Sequence, residues 1–405
     1  MPRSLHLEVA ARRTGGTLRR DVLLRLDGET EATRVSYEIV GHSREEYPAS
    51  LDGFVFGLLF RIMKVGAPLR VHGPLSRTAL YNLEELQAFW TLWCPDAYKP
   101  VEIIPDRVVD LVRSKPGRRA IAAFSGGVDS TFTILRHRGD AQDGGSHAID
   151  TVLMVQGFDV ALANARDFER LVVRSEALRR ELALDLRIVR TNSKELNLQK
   201  WEDSFGGQLA ACLHQFADEF EFGMVGSSEP YDHLYLPWGS NPVTDPLLSG
   251  DAFAIVHDGA GYSRTDKAAI ITRYPLAMPG LKVCWEGQKQ DRNCGVCEKC
   301  MRTRLNFLAV GEPNPACFDE PLDASGIDGI VIRNQAQYLE LQSIVEYAEH
   351  RGKTGPWLGL LRRRLQRYRR EEAAQRRRER IGLALEAIGM KRVASRALHS
   401  LGLSR

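Results

Sequence analysis

The residues best placed to do chemistry are Ser125-Gly126-Gly127-Val128-Asp129-Ser130. They follow an apolar run, Ala120–Phe124, and precede a helix-compatible segment, Thr131–Arg136. That is the layout of a buried strand feeding a tight turn that opens a helix. Gly126 and Gly127 have no Cβ, so the backbone can turn sharply and bring its N–H groups close to a ligand. Asp129 and Ser130 are expected in the first helical turn, where unused N–H groups and the helix dipole favour an anion. The implied chemistry is phosphate binding. The Gly-Lys-Ser/Thr ending is missing, so the loop is not a Walker A loop.

A second cluster, Cys284, Cys294, Cys297 and Cys300, has the pattern C-x9-C-x2-C-x2-C. Four thiolates complete the tetrahedral shell of Zn2+ and leave no open position, so such a site is structural rather than hydrolytic. Gly295 permits the tight loop that turns successive sulfurs inward. An iron–sulfur cluster also accepts four cysteines; zinc is the preferred ion here. The crowding of four of the seven cysteines fits a metal site in a reducing compartment better than a disulfide framework. Cys94, Cys212 and Cys317 are isolated and read as buried structural residues.

The loop Ser125–Ser130 resembles the signature of the PP-loop ATP pyrophosphatases, which grip the β,γ-pyrophosphate of ATP while the α-phosphate is transferred as AMP. With the cysteine pattern added, residues 118–310 resemble the 7-cyano-7-deazaguanine synthase family of the queuosine pathway. The stretch Asn293–Thr303 looks more like the divergent synthase-like proteins of bacterial antiphage systems (Qat and type IV CBASS). The resemblance implies an adenine nucleotide alpha hydrolase-like fold, ATP and Mg2+ as cofactors, and zinc on the four cysteines. It implies an ATP-dependent carbon–nitrogen ligase that adenylates a carboxylate, 7-carboxy-7-deazaguanine, and passes the acyl group to nitrogen as an amide, a nitrile or a conjugate with a protein amine. The expected partners are that carboxylate and proteins of a defence operon, and a homodimer is compatible.

On this resemblance Ser125, Gly126, Gly127, Val128, Asp129 and Ser130 hold the nucleotide, with Gln156, Thr191, Gly226 and Ser227 at neighbouring strand ends. Asp129, Arg264 and Lys267 are the expected catalytic residues. Arg264 and Lys267 are three apart, so a helix starting there puts them on one face, where they can meet phosphate or carboxylate oxygens or simply face water. Tyr235–Asp245, with Trp238, offers a base-stacking wall or core packing. Pro2 stands where an N-terminal-nucleophile glutaminase would carry cysteine, so the nitrogen must be free ammonia or a partner's amine. Two rival readings remain. One is a tRNA-modifying PP-loop enzyme, of the thiolation or lysidine type, for which only Cys212 is remotely placed as a sulfur carrier. The other is a non-catalytic ATP-binding subunit of a defence complex.

The elements that must position these residues alternate. Strands are expected at Ala120–Phe124, Thr151–Val155, Leu186–Val189 and Phe222–Val225, and helices at Thr131–Arg136, Ala165–Leu182 and Gln208–Glu219. Such alternation predicts an α/β domain, residues 118–328, whose parallel sheet is covered on both faces and binds ligands at its carboxyl edge. Before it, residues 1–115 read as a separate small α+β domain. Its strands are expected at Leu5–Val9, Val22–Leu26, Val35–Val40 and Leu69–His72, and its helices at Leu51–Lys64 and Arg77–Trp93. Ser114–Gly117 reads as the linker.

After it, residues 329–405 are expected to be helical, at Gln335–Glu349 and Trp357–Ala384, with a poorly ordered end from Met390. This tail carries a net +10 within a chain of net +3. Arg362–Arg364, Arg369-Arg370 and Arg376–Arg378 suit an anionic partner such as nucleic acid. A solvated helix face is preferred, because Leu361, Leu365 and Tyr368 can pack inward. At 405 residues, 43% hydrophobic and 26% charged, the composition suits a soluble globular protein. The longest apolar stretch, Phe54–Phe60, is far short of the ~20 residues a membrane helix needs, and the N-terminus has no signal-peptide core. A cytoplasmic location is expected.

Overall fold

The structure, a computed structural model, describes residues 3–40, 46–112, 119–138, 146–284, 286–287 and 289–387, with side chains through 381. The first elements are β1 (Leu5–Thr14), β2 (Thr17–Leu26), β3 (Thr33–Val40), α1 (Asp52–Val65), β4 (Leu69–Ser76), α2 (Arg77–Trp93) and β5 (Ile103–Val109). Alternation follows: β6 (Arg119–Ala123), α3 (Val128–Arg138), β7 (Ala148–Gln156), α4 (Ala165–Arg174), α5 (Glu176–Glu181), β8 (Asp185–Thr191), α6 (Trp201–Leu213), β9 (Phe222–Gly226), β10 (Ala254–Asp258), α7 (Arg264–Ile271) and α8 (Glu298–Val310).

The fold is α/β. One 10-stranded sheet has the order β10-β9-β6-β7-β8-β3-β2-β1-β4-β5. The five strands from β10 to β8 are all parallel, and antiparallel pairing is confined to β8–β3, β3–β2 and β2–β1. Side chains alternate across β6: Ile121 and Ala123 pack on one face with α1, α2 and α6, while Ala120 and Ala122 pack on the other with α3, α4, α7 and α8. Burial on both faces explains why β6 and β7 read as near-continuous apolar runs.

The expected separation of residues 1–115 from the nucleotide domain does not hold. β3 pairs with β8, from Tyr37 opposite Thr191 to Val40 opposite Ile188, so the N-terminal strands extend the same sheet. α1 also packs against α6 so closely that a Cβ on Gly207 would sit 2.6 Å from the Phe56 carbonyl oxygen. Residues through Leu322 accordingly form one compact unit. The linker expected at 114–117 lies outside the described residues, as does the segment from Met390.

Asp323 onward forms a second unit, built on α9 (Gln335–His350) and α10 (Pro356–Ala387). Within it Tyr338 stacks on Tyr368, Leu361 and Leu365 are buried, and Arg364 turns inward to donate to the Ile330 carbonyl at 2.6 Å. Arg362 pairs with Glu349 and Arg367 with Asp328. Part of the arginine run is therefore consumed by the unit's own packing. No helix among the described residues is long and apolar enough to cross a membrane.

Candidate active site

The chain runs β6 to β7 to β8 in one direction, then returns to place β9 on the other side of β6. At such a switch in strand order the loops leaving the two neighbouring strands diverge and leave a crevice at their carboxyl ends. Here the flanking loops are Phe124–Gly127 after β6 and Ser227–Pro230 after β9.

The first loop has the form the sequence suggests. Gly126 adopts φ +75°, a left-handed conformation that glycine takes without strain. α3 starts at Val128, three residues earlier than the periodicity indicates, and its first helical bond runs from Thr131 N–H to the Gly127 carbonyl at 3.0 Å. The N–H groups of Val128, Asp129 and Ser130 have no acceptor among the described residues. They form a cluster of donors at the positive end of a helix dipole. Ser125 Oγ accepts from Gly127 N–H at 3.3 Å, and the Ser130 hydroxyl donates to the Gly127 carbonyl at 3.2 Å. The loop is thus braced by its own serines.

Opposite it, Ser263 caps α7 in a reciprocal capping box with Asp266, which fixes the helix start and aims Arg264 and Lys267 together. Both side chains are buried, and both reach Asp129, Arg264 at 3.4 Å and Lys267 at 3.3 Å. Lys267 also donates to the Ser227 carbonyl. Burial opposes ionisation of Asp129, but Arg264, Lys267 and Lys299 outweigh it and hold the carboxyl below its usual range. Burial pulls the Lys267 ammonium down from its ordinary value while Asp129 pulls it back up. The observed partner of the two cations is therefore a carboxylate of the loop itself.

The remaining expected residues divide. Gly226 belongs to the cluster: a Cβ there would lie 2.8 Å from the Asp129 carbonyl oxygen and 3.1 Å from Thr133 Oγ1. Ser227 contributes its carbonyl, its hydroxyl being spent on the Glu229 carbonyl at 2.7 Å. Gln156 and Thr191 stand at the same sheet edge but serve the loops beside them. The Gln156 amide donates to Leu162 and receives Arg190, and Thr191 Oγ1 accepts from Ser193 N–H. Trp238 is half-buried, with Phe205 and Tyr235 around it. Cys212, weighed as a sulfur carrier, is sealed in the core on α6, where burial pushes its thiol pKa up.

The four cysteines come together. Their ligand atoms all lie within 4.8 Å of one another, with Cys284–Cys297 and Cys294–Cys300 both at 3.8 Å. Sulfurs about 2.3 Å from Zn2+ at tetrahedral corners are about 3.8 Å apart, so the cluster fits a zinc-sized ion. Cys297 is also the N-cap of α8, which carries Lys299 and Arg302 toward the charge of Asp129. The segment leading to Cys284 covers the loop, Lys282 N–H donating to the Gly126 carbonyl at 2.8 Å. Thr265 on α7 donates to Asn306 on α8 at 2.7 Å. A metal held there would fix both walls of the crevice.

Lys299, Arg302 and Glu229 are site residues that sequence reasoning missed. In the sequence Lys299 lies between the ligands Cys297 and Cys300 and Arg302 two residues after Cys300, and that place beside the metal loop was the only signal. Comparison with family models, with curated proteins and with solved structures returned no match.

Proposed function

We propose that this chain is an ATP-dependent carbon–nitrogen ligase that activates a carboxylate as its acyl adenylate, with 7-carboxy-7-deazaguanine as the acid. The observation that carries the proposal is the cradle at the strand-order switch: three unused N–H groups on α3, faced by two buried cations on α7. The parallel half of the sheet then corresponds to an adenine nucleotide alpha hydrolase-like fold. In-line transfer at phosphorus depends on positioning and on neutralising oxyanions. The N–H groups of Val128, Asp129 and Ser130 take the outer phosphates. Arg264 and Lys267 exchange part of their pairing with Asp129 for phosphate oxygens. Mg2+, when bound, shares the triphosphate charge, and zinc on Cys284, Cys294, Cys297 and Cys300 is structural.

The substrate carboxylate oxygen attacks the α-phosphorus and the bond to pyrophosphate breaks. A nitrogen nucleophile then attacks the acyl carbon and the bond to AMP breaks. The buried Cys212 gives the thiolation alternative no sulfur carrier, which favours nitrogen transfer. The nitrogen comes from ammonia or from a protein amine supplied by a defence-operon partner. The test is incubation of the pure protein with ATP, Mg2+ and 7-carboxy-7-deazaguanine. Release of pyrophosphate that depends on the acid, followed by AMP once ammonia is added, is the expected result; ADP and phosphate, or no pyrophosphate, contradicts the proposal.

A further inference from the structure

Five aromatic side chains form a continuous strip along the carboxyl edge of the sheet. Phe158 stands two residues past β7, and Trp201 opens α6 beyond β8, with Phe205 one turn further on. Tyr235 and Trp238 belong to the segment after β9. Ring centroids are 5.0 Å apart for Phe158–Trp201, 6.0 Å for Trp201–Phe205, 5.8 Å for Phe205–Trp238 and 6.2 Å for Trp238–Tyr235. All five rings are half-buried, whereas rings that build the core, such as Trp90, Phe56 and Phe216, are at most 1% exposed. Beside the strip Tyr231 and Leu236 are exposed as well. Contiguous apolar surface left open to water at the ligand edge of a sheet marks a binding face.

The strip is held rigidly. Gly239 N–H donates to the Glu202 carbonyl at 2.8 Å and Gly206 N–H to the Gly239 carbonyl at 3.1 Å, which stitches the Trp238 segment to α6. Asn241 Nδ2 donates to the Trp238 carbonyl at 2.7 Å, and Asp245 accepts from Asn241 N–H at 3.1 Å. Lys194 Nζ lies 4.3 Å from the centre of the Trp201 ring, so one face of that indole is taken. Among the described residues no cation covers Trp238.

Strand order relates the strip to the phosphate cradle. β6 lies between β9 and β7, so a strip running from the loop after β7 to the segment after β9 passes the end of β6, where Phe124–Gly127 begins. Neighbouring strands are about 4.8 Å apart, so β7 and β9 are separated by about 10 Å. The two features take opposite faces of that edge. Phe158 packs with the core beneath α1 and α6, and Val128, where α3 starts, packs with the core beneath α3 and α7. Displacement at phosphorus is in line, the new P–O bond forming opposite the one that breaks. With pyrophosphate on the α3 side, the attacking carboxylate comes from the α6 side, and the ring that carries it meets the strip. Adenine hangs through its ribose from an equatorial oxygen of the α-phosphorus and so lies to the side of that line.

We propose that this strip, centred on Trp238, is the subsite for the acid, holding a planar heteroaromatic carboxylate by stacking and leaving its carboxylate oxygens free for phosphorus. This rests on the adenylation reading above and adds to it the residues that recognise the acid.

The full-length zinc-bound chain is titrated with 7-carboxy-7-deazaguanine by calorimetry in the presence of α,β-methylene-ATP. KM values for the acid and for ATP are taken from pyrophosphate release. Trp238→Ala is expected to weaken acid binding, and to raise the KM for the acid, by about 10–100-fold, the usual loss for one stacked base, and to move the KM for ATP far less. Trp238→Phe keeps a flat ring and stays within about 5-fold of the unaltered chain in acid binding. The acid quenches the tryptophan fluorescence of the unaltered chain, and Trp238→Phe loses most of that quench while still binding.

If Trp238→Ala keeps its zinc and melting temperature and acid binding is unmoved, the ring is packing and the assignment is wrong. A KM that rises for ATP in place of the acid gives the strip to adenine and overturns it equally. Should Trp238→Ala fail to fold, Trp238→Phe decides: a lost quench with binding retained supports the subsite, and a quench that persists places the acid elsewhere. Acid that binds and quenches without any release of pyrophosphate upholds the subsite and defeats the adenylation reading. Acid-dependent pyrophosphate release that is indifferent to Trp238→Ala does the reverse.

Discussion

Arg264 and Lys267 share the single carboxylate of Asp129 in one cluster, so removing one member changes the charge balance of the others. Lys267→Ala is expected to lower the rate of adenylation by about 10^2–10^3-fold, the usual cost of deleting a preorganised oxyanion partner. Stability should fall as well, because Asp129 loses one of the cations that offset its burial. Adenylation that survived at the original rate would remove Lys267 from the mechanism. Gly226 tests the same corner by shape. A methyl group there meets the Asp129 backbone, so α3 must move off the sheet at a cost of about 1–3 kcal/mol. Gly226→Ala should lose several degrees of melting temperature and most adenylation, whereas Gly261→Ala, with nothing within 4 Å of its added Cβ, should lose neither. Glu229 adds a pH signature. Its folded pKa is raised to about 7, so between pH 4.5 and 7 the unfolded chain ionises while the folded chain holds the proton. Stability therefore falls with rising pH across that window, by about 3 kcal/mol from this group. Glu229→Gln should remove that slope in denaturant titrations at pH 5 and pH 8; an identical slope would show that the carboxyl ionises normally.

At the scale of elements, the metal loop and α8 act together, since Cys297 caps the helix that carries Lys299 and Arg302. Cys297→Ser, or chelation, should release the metal and the stabilisation it supplies, roughly 10–16 kcal/mol of apparent binding energy for four-ligand zinc sites. Elemental analysis, melting temperature and adenylation should then fall together. Full adenylation by a metal-free protein would sever the link between the two sites. The strand-turn-helix around Gly126 was legible in the sequence because every local signal there agrees: an apolar strand, adjacent glycines and an early acid. α6 was less so. It begins at Trp201, whereas local preference places the start at Gln208, after Gly206 and Gly207, which lower the intrinsic helix preference. The reason they are glycines is tertiary: a Cβ on Gly206 would sit 2.1 Å from the Gly239 carbonyl oxygen. The helix expected over 165–182 divides at Ser175, whose hydroxyl donates back to the Val172 carbonyl at 2.7 Å and competes with the helical bond. β1 runs on to a hairpin at Gly15-Gly16, with Gly15 at φ +57°, beyond the apolar core that marks its first half.

For the molecule as a whole, alternation foretold the parallel sheet, but nothing local announces that β3 pairs with β8. Strand partners that far apart are chosen by the edge each leaves open, and β8 would otherwise end the parallel sheet with unpaired backbone groups. The consequence is that the N-terminal strands brace the parallel half of the sheet, and a chain starting near residue 119 should be insoluble or molten. A folded, adenylating fragment would contradict that. Charge on the second unit is partly internal, as the Arg364, Arg362 and Arg367 contacts show. RNA binding lost on truncation after residue 355, and weakened by salt, would assign the exposed remainder a partner. The claim on which the account rests is that a substrate carboxylate attacks the α-phosphorus of ATP in the crevice between β6 and β9. It is tested most directly with 7-carboxy-7-deazaguanine carrying 18O in its carboxyl group. Mass spectrometry should find one 18O atom in the AMP released once nitrogen has displaced it. Unlabelled AMP, or label in inorganic phosphate beside ADP, would contradict the account.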